Sequence, residues 1–326
     1  SSSEDTSQLE ITPYHQGETL NSPHLDSDGI LKSLDFIFRK DKLIGRTQLL
    51  ESTINKFVDL SNDDTSAKLF RWALFYGGAG SGKSRFAMEL LRDAATQYKS
   101  EFSIDHWGFI DSASMDEVGL ISIEKIRNID LKGPAFIVID HAASIQNLNK
   151  VIKAFADLSD RENQKVRLIL LERMNEGGFI DSKITNDMSG RIIRDTQFRF
   201  SNSPEVGIEL NQLSDDECLQ IIRERISDNQ FLESLDNQRD WLLDRLDMID
   251  SDKQRRPLYA AMVGATLANI IEKKEVNDWI IMGGVEAREL MLEDLIKRSR
   301  ENYWNAPKTP DFDRLETTLV LSTLCR

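Results

Sequence analysis

Apolar positions along the chain change their period several times, and each change marks an element. In residues 47–60 (TQLLESTINKFVDL) apolar side chains recur every three or four positions, which predicts an amphipathic helix. Leu69 to Tyr76 (LFRWALFY) is short, aromatic and nearly all apolar, the make-up of a buried strand. Helical spacing returns from Lys83 to Ala95, with Phe86, Leu90 and Leu91 on one face. Strand-like runs follow at His106–Ile110, Ala135–Ile139, Val166–Leu171 and Val206–Leu210, with helical segments between most of them, notably 144–157. Strands alternating with helices predict a parallel sheet covered on both faces. After Leu213 the strand signals stop, and 214–226, 238–250, 257–272 and 285–300 all read as helices.

The ends look different. Residues 1–31 hold six acids (Glu4, Asp5, Glu10, Glu18, Asp26, Asp28), no Lys or Arg, and many Ser and Thr. That composition predicts a mobile tail or linker. A short apolar pattern begins around Ser33 to Arg39. The expected organisation is an acidic tail and lead-in helix at 1–40, an α/β domain at 41–210, a helical region at 211–275 and the start of a further helical domain at 276–326. The first residue is not Met, and the sequence stops in the apolar run Leu319-Val320-Leu321 just before Cys325-Arg326, so it reads as part of a longer protein.

Composition narrows the class. A chain of 326 residues with 40% apolar and 29% charged residues suits a soluble globular protein. That length allows about two domains. No apolar run approaches the roughly 20 residues that span a bilayer, and no secretory signal opens the sequence. The formal net charge of −14 makes nucleic acid and anionic membrane unfavoured partners. Cys218 and Cys325 stand far apart, without metal-like spacing, and predict reduced thiols in a cytoplasmic protein.

The chemistry starts in the turn after the first strand-like run. Residues 77–84 read GGAGSGKS and match G-x-x-x-x-G-K-[ST], with Gly77, Gly82, Lys83 and Ser84 in the fixed places. A polyphosphate must be met by several backbone N–H groups at once, and glycine lets the backbone curl tightly enough. The loop Gly78, Ala79, Gly80, Ser81, Gly82 runs into Lys83, Ser84 and Arg85 at a helix N-terminus, where free N–H groups and the dipole favour an anion. Lys83 supplies a point charge to the β and γ phosphates, and the Ser84 hydroxyl a ligand to Mg²⁺. The expected ligand is a nucleoside triphosphate, foremost ATP with Mg²⁺.

Two later strands add candidates. Pro134 to Asp140 (PAFIVID) is an apolar run ending in one acid, as a Walker-B strand requires to deliver a carboxylate to Mg²⁺. The alternative role for Asp140 is a helix cap. Hydrolytic relatives of such strands often place a second acid next, to polarise water, but here the next residue is His141. His141 either orients a water or simply packs, and hydrolysis is expected to be slow. The run VRLILLER ends in Glu172-Arg173. Arg173 is a candidate sensor of the γ phosphate and Glu172 the leading substitute for the missing base; the alternative is a surface ion pair.

The order of these pieces carries a resemblance: Leu43-Ile44-Gly45-Arg46, then GGAGSGKS, FIVIDHA, LILLER, Leu210–Glu217 (LNQLSDDE) and Arg256-Pro257-Leu258. Over about residues 43–300 the chain resembles the signal-transduction ATPases with numerous domains (STAND), the class of the NACHT and NB-ARC switches. It is similar to bacterial members with an "IVIDYA" Walker-B strand and an "LLLER" sensor strand, and it departs from them at His141, where Tyr is expected. The resemblance implies a P-loop NTPase core with a parallel sheet, followed by an all-helical lid and a winged-helix-like segment. It implies that Ile44 and Arg46 lie on the adenine side of the nucleotide and that Pro257 touches base or ribose from the lid. Read from the residues alone, Pro257 is a good first helical residue. The implied activity is a slow, switch-like ATPase that self-associates or controls an effector, carried in the same chain or in another protein. Bacterial antiviral defence is the implied setting. The rival readings are an AAA-type remodelling or DNA-loading motor and a nucleotide-stabilised scaffold.

Overall fold

In a computed structural model the described residues are Leu9, 11–13, 43–59, 68–98, 106–110, 119–173, Ile193, 195–200, 207–226, 239–249 and 253–273. They divide between two compact units. One takes in the N-terminal strand and Gly45 to Asn211; the other takes in Leu43-Ile44 and the residues from Gln212 onward.

The first unit is a sheet with helices on both faces. In chain order its elements are β1 (Ile11–Pro13), α1 (Thr47–Thr53), β2 (Phe70–Tyr76), α2 (Lys83–Tyr98), β3 (Trp107–Ile110), α3 (Ile123–Arg127), β4 (Ala135–Ile139), α4 (Leu148–Glu162), β5 (Val166–Glu172) and β6 (Ile208–Glu209). The sheet order is β1-β3-β4-β5-β2-β6. The five strands β2 to β6 run parallel, and β1 alone is antiparallel, on the free edge of β3. The strand carrying Glu172 therefore lies between the strand that feeds the glycine loop and the strand that ends at Asp140.

Side-chain alternation assigns the two faces. Trp72 and Leu74 of β2 and Leu168 and Leu170 of β5 share a core with Leu148, Val151, Ile152 and Phe155 of α4. The opposite parity meets α2 and the turn that follows α1: Phe75 packs on Phe86 with ring centroids 5.1 Å apart, and Phe136 on Phe57 at 6.4 Å. On that side Arg167 is wholly buried. Its guanidinium donates to the carbonyls of Phe57 and Val58 at 2.8 Å, of Leu69 at 2.8 Å and of Asp59 at 3.3 Å. It thereby serves the carbonyl end of the π-helical turn Ile54–Val58, into which α1 passes. Burial pushes its pKa down to about 9, which leaves it charged at neutral pH.

Three expectations need correction. The tail is not uniformly featureless: Ile11 and Thr12 pair with Ile110 and Phe109, and Leu9 and Ile11 pack into the core. Pro13 lacks a donor N–H, which an edge strand tolerates. The helix expected over 144–157 instead covers 148–162, after a short 3₁₀ turn at Ala142–Ser144. Asn147 marks the delay, because its side-chain oxygen accepts from Ile121 N–H and its amide donates to Ile121 O. The helix expected over 47–60 gives way to the π turn after Thr53.

The second unit is helical: α5 (Asp215–Glu224), α6 (Arg239–Ile249) and α7 (Pro257–Lys273). Ser214 starts α5 with a reciprocal capping box to Glu217. Leu219 and Ile222 of α5, Leu242 and Leu246 of α6, and Val263 and Leu267 of α7 form one core, together with Cys218 and Ile44. The pattern at 33–39, the helix expected at 285–300 and the domain expected at 276–326 lie outside the described residues.

Candidate functional site

The site is built at the carboxyl ends of β2, β4 and β5. β2 ends at Tyr76, and Gly77 N–H donates to Glu172 O on the neighbouring strand at 3.2 Å. A side chain at Gly77 is barred: a Cβ there would stand 2.8 Å from Ser81 Oγ and 3.3 Å from Leu210 O. Gly80 and Gly82 sit at φ 75° and 85°, the left-handed region that glycine enters without strain. The loop closes with Ser81 N–H on Gly78 O at 3.1 Å, and α2 begins with Phe86 N–H on Gly82 O at 2.8 Å. Gly78, Ala79 and Gly80 form its half-buried rim. Ser81 is buried and its Oγ has no hydrogen-bond partner.

Lys83 is 8% exposed and arches back over the loop, donating to Gly77 O at 2.7 Å and Gly78 O at 3.0 Å. Burial is the main cause that lowers its pKa below the ordinary lysine range. The carboxylates of Asp140 and Glu172 oppose this shift, and the guanidiniums of Arg173 and Arg46 add to it. These four side chains and Lys83 thus form one electrostatic neighbourhood. Arg46 is buried, and its Nη2 donates to Asn211 O at 2.9 Å. The Arg85 guanidinium pairs with Glu89 at 2.8 Å, one turn down α2, so its offering to the loop is its backbone N–H.

Ser84 Oγ donates to Asp140 Oδ2 at 2.6 Å. A hydroxyl and a carboxylate oxygen, residues from different elements, thus converge at the head of α2. Asp140 Oδ1 accepts from His141 N–H at 2.8 Å. His141 is exposed and left-handed, at φ 54° and ψ 47°. Glu172 is 9% exposed; Oε2 accepts from Ala143 N–H and Oε1 from Arg173 N–H, both at 2.6 Å. Arg173 itself is exposed.

These residues fit a nucleoside triphosphate with Mg²⁺. Hard oxygen ligands come from Ser84 and Asp140, and hydrogen-bond donors to phosphate from the loop N–H groups, Lys83 and the unpartnered Ser81 hydroxyl. Among the described residues no group of three or more His, Cys, Asp and Glu converges. A Mg²⁺ held here would complete its shell with phosphate and water, as Mg²⁺ commonly does.

Two candidates belong to the second unit. Ile44 is buried in its helical core, and Pro257 is the first residue of α7. Arg255, two residues before Pro257, stands left-handed at φ 48°; it pairs with Asp215 at 2.5 Å and also with Asp247. The sequence reading had no signal for Arg255, for the Ala143 N–H or for Asn211 O, since each acts through a partner remote in sequence or through the main chain.

No family model matches the sequence, and no curated protein matches it. Solved structures do. The ORC2 protein of Aeropyrum pernix, solved in ADPNP–ADP complexes, aligns with a TM-score of 0.52 at 10% identity, over 90% of this chain and 89% of that one. The ORC1 protein of the same organism, solved with DNA, gives 0.45 at 14% identity over 87% and 73%. Domain III of the Thermotoga maritima replication initiation protein DnaA gives 0.40 at 13% identity over 81% and 98%. The likeness is one of fold and rests on the first. With the sheet order and the glycine loop, it defines the class: the chain has the α/β fold of the P-loop NTPases. Among the described residues no helix is long and apolar enough to cross a membrane.

Proposed function

We propose that the chain is an ATP-binding molecular switch with slow hydrolysis. The observation that carries this reading is the Ser84 Oγ–Asp140 Oδ2 bond of 2.6 Å beside the buried Lys83. It gathers a metal-ligand pair and a phosphate-binding cation at the mouth of one glycine loop. Bound Mg²⁺ supplies charge neutralisation of the phosphates. The chain's own residues do the rest: loop N–H groups and Lys83 bind the phosphates, while Ser84 and Asp140 orient the metal. Arg173 at the end of β5 senses the γ phosphate. Arg46 serves the adenine side, and Ile44 and Pro257 contribute from the second unit; these assignments follow the resemblance.

Slow turnover follows from the sequence after Asp140, where His141 replaces the acid that would polarise water. In this reading ATP sets the state of the chain, and the consequence is self-association or control of an effector. The STAND class and an antiviral setting are carried by the resemblance described above. The AAA-type motor remains the competing reading, because the P-loop fold serves both. Steady-state phosphate release separates them: the switch is expected well below the roughly 1 s⁻¹ at which ordinary enzymes begin to work. Sustained turnover at or above that rate would establish the motor in its place.

A further inference from the structure

We propose that Glu172 is a positioning residue: it locks the turn that follows Asp140 and thereby fixes the carboxylate offered to Mg²⁺, and it is not the general base. The inference rests on the nucleotide-switch reading and names how its metal site is held.

Glu172 joins three loops at one point. Its main-chain oxygen holds Gly77, the first residue of the glycine loop, at 3.2 Å. Its Oε2 holds Ala143 N–H at 2.6 Å, inside the turn that Asp140 enters. Its Oε1 holds Arg173 N–H at 2.6 Å and so sets the direction in which the chain leaves β5. That turn needs holding. His141 is a non-glycine residue at φ 54°, a conformation that persists only where the surroundings over-determine it.

The turn's own bonds are short-range: His141 N–H to Asp140 Oδ1 at 2.8 Å, and Ser144 N–H to His141 O at 2.9 Å. The Ala143–Glu172 bond comes from the neighbouring strand and ties the turn to the rigid sheet. A general base must direct an oxygen at the water it activates. Both oxygens of Glu172 are instead turned to backbone N–H groups, and the side chain is buried. Losing a group hydrogen-bonded directly to a metal ligand typically costs about 10- to 100-fold in metal affinity. Glu172 acts one step further out, through the turn that carries Asp140, so the lower end of that range is expected.

Calorimetric titration of ATP with Mg²⁺ and with EDTA tests this on wild type, Glu172→Gln and Glu172→Ala. Glutamine offers one carbonyl oxygen where two N–H groups need acceptors, so it cannot replace the carboxylate. The expected result is that ATP affinity in EDTA does not fall in either variant, since each removes a negative charge near the phosphates. The extra affinity conferred by Mg²⁺ should fall by about tenfold or more in both. Circular dichroism checks that the variants are folded, and the nearly isosteric Glu172→Gln suffices if Glu172→Ala does not fold.

Two results would overturn the inference while leaving the switch reading in place. In one, Glu172→Gln keeps the full Mg²⁺ gain but loses about 100-fold or more in single-turnover hydrolysis, as removal of a base does. In the other, affinity falls equally with and without Mg²⁺, which makes Glu172 a support of the glycine loop alone. A wild-type protein that binds no ATP removes both the reading and the inference.

Discussion

At the scale of single residues, the site is governed by charges placed where water is scarce. Lys83 shows the consequence. Burial, with Arg173 and Arg46 adding to it, holds the free protein's Lys83 below the ordinary lysine range against the pull of Asp140 and Glu172. A polyphosphate set beside it favours the ammonium form and raises its pKa in the complex. The complex therefore holds more protons than the free protein at pH values between the two. By linkage, ATP affinity is full below the free-state pKa of Lys83 and falls as pH rises through it. Proton uptake should accompany binding on that alkaline side, measured as a dependence of the calorimetric enthalpy on buffer ionisation heat. Lys83→Ala should remove the uptake and most of the affinity while leaving the fold intact. A folded Lys83→Ala variant with unchanged affinity would exclude the P-loop assignment.

Elements show how far local pattern reaches. The helices α5 and α7 come close at Gly264: a Cβ there would stand 2.9 Å from Ile222 O and 3.1 Å from Arg225 Cβ. Alanine is a better helix former than glycine by about 1 kcal/mol. Yet the atom it would press on is backbone, which cannot swing aside, and overpacking of this kind costs about 1–3 kcal/mol. Gly264→Ala is therefore expected to lower the denaturation midpoint of the helical unit despite its propensity gain. A raised midpoint would mean that the two helices can part at little cost.

The central strands were legible because both of their faces are buried, so an apolar run alone announces them. β1 was not, although Leu9 and Ile11 alternate as an edge strand should: three paired residues in a polar stretch give little periodic signal, and the partner strand is remote. The start of α4 is not legible because Asn147 spends its side chain on Ile121, a contact no local pattern contains. In the site, GGAGSGKS was legible since loop geometry fixes its residue types one after another. Glu172 reads in the sequence as a candidate base, but its hydrogen bond to Ala143 depends on the packing of two strands.

For the whole molecule, the proposed switch requires that nucleotide binding bias one arrangement of the chain over another. The glycine loop with Lys83, Ser84 and Asp140 belongs to the first unit, and Pro257 opens a helix of the second. In the proposed reading Pro257 takes part in nucleotide binding. A ligand that engages groups on two bodies stabilises only those arrangements in which both engage it, and it can shift the equilibrium by no more than that difference in affinity. Hydrogen exchange with and without Mg²⁺·ATP reads this directly. Protection is expected at 77–85, where loop N–H groups meet phosphate, and separately at 256–262, at the start of α7. The second region lies far from the first in sequence, so stiffening of the glycine loop alone does not protect it. Arg255, held by Asp215 and Asp247, anchors the entry to α7, so Arg255→Ala should reduce the protection at 256–262 and leave that at 77–85. Protection confined to the glycine loop and α2 in the wild type would remove Pro257 from the site. ATP would then still bind, and the switch would have to act through the Asp140 turn and Arg173.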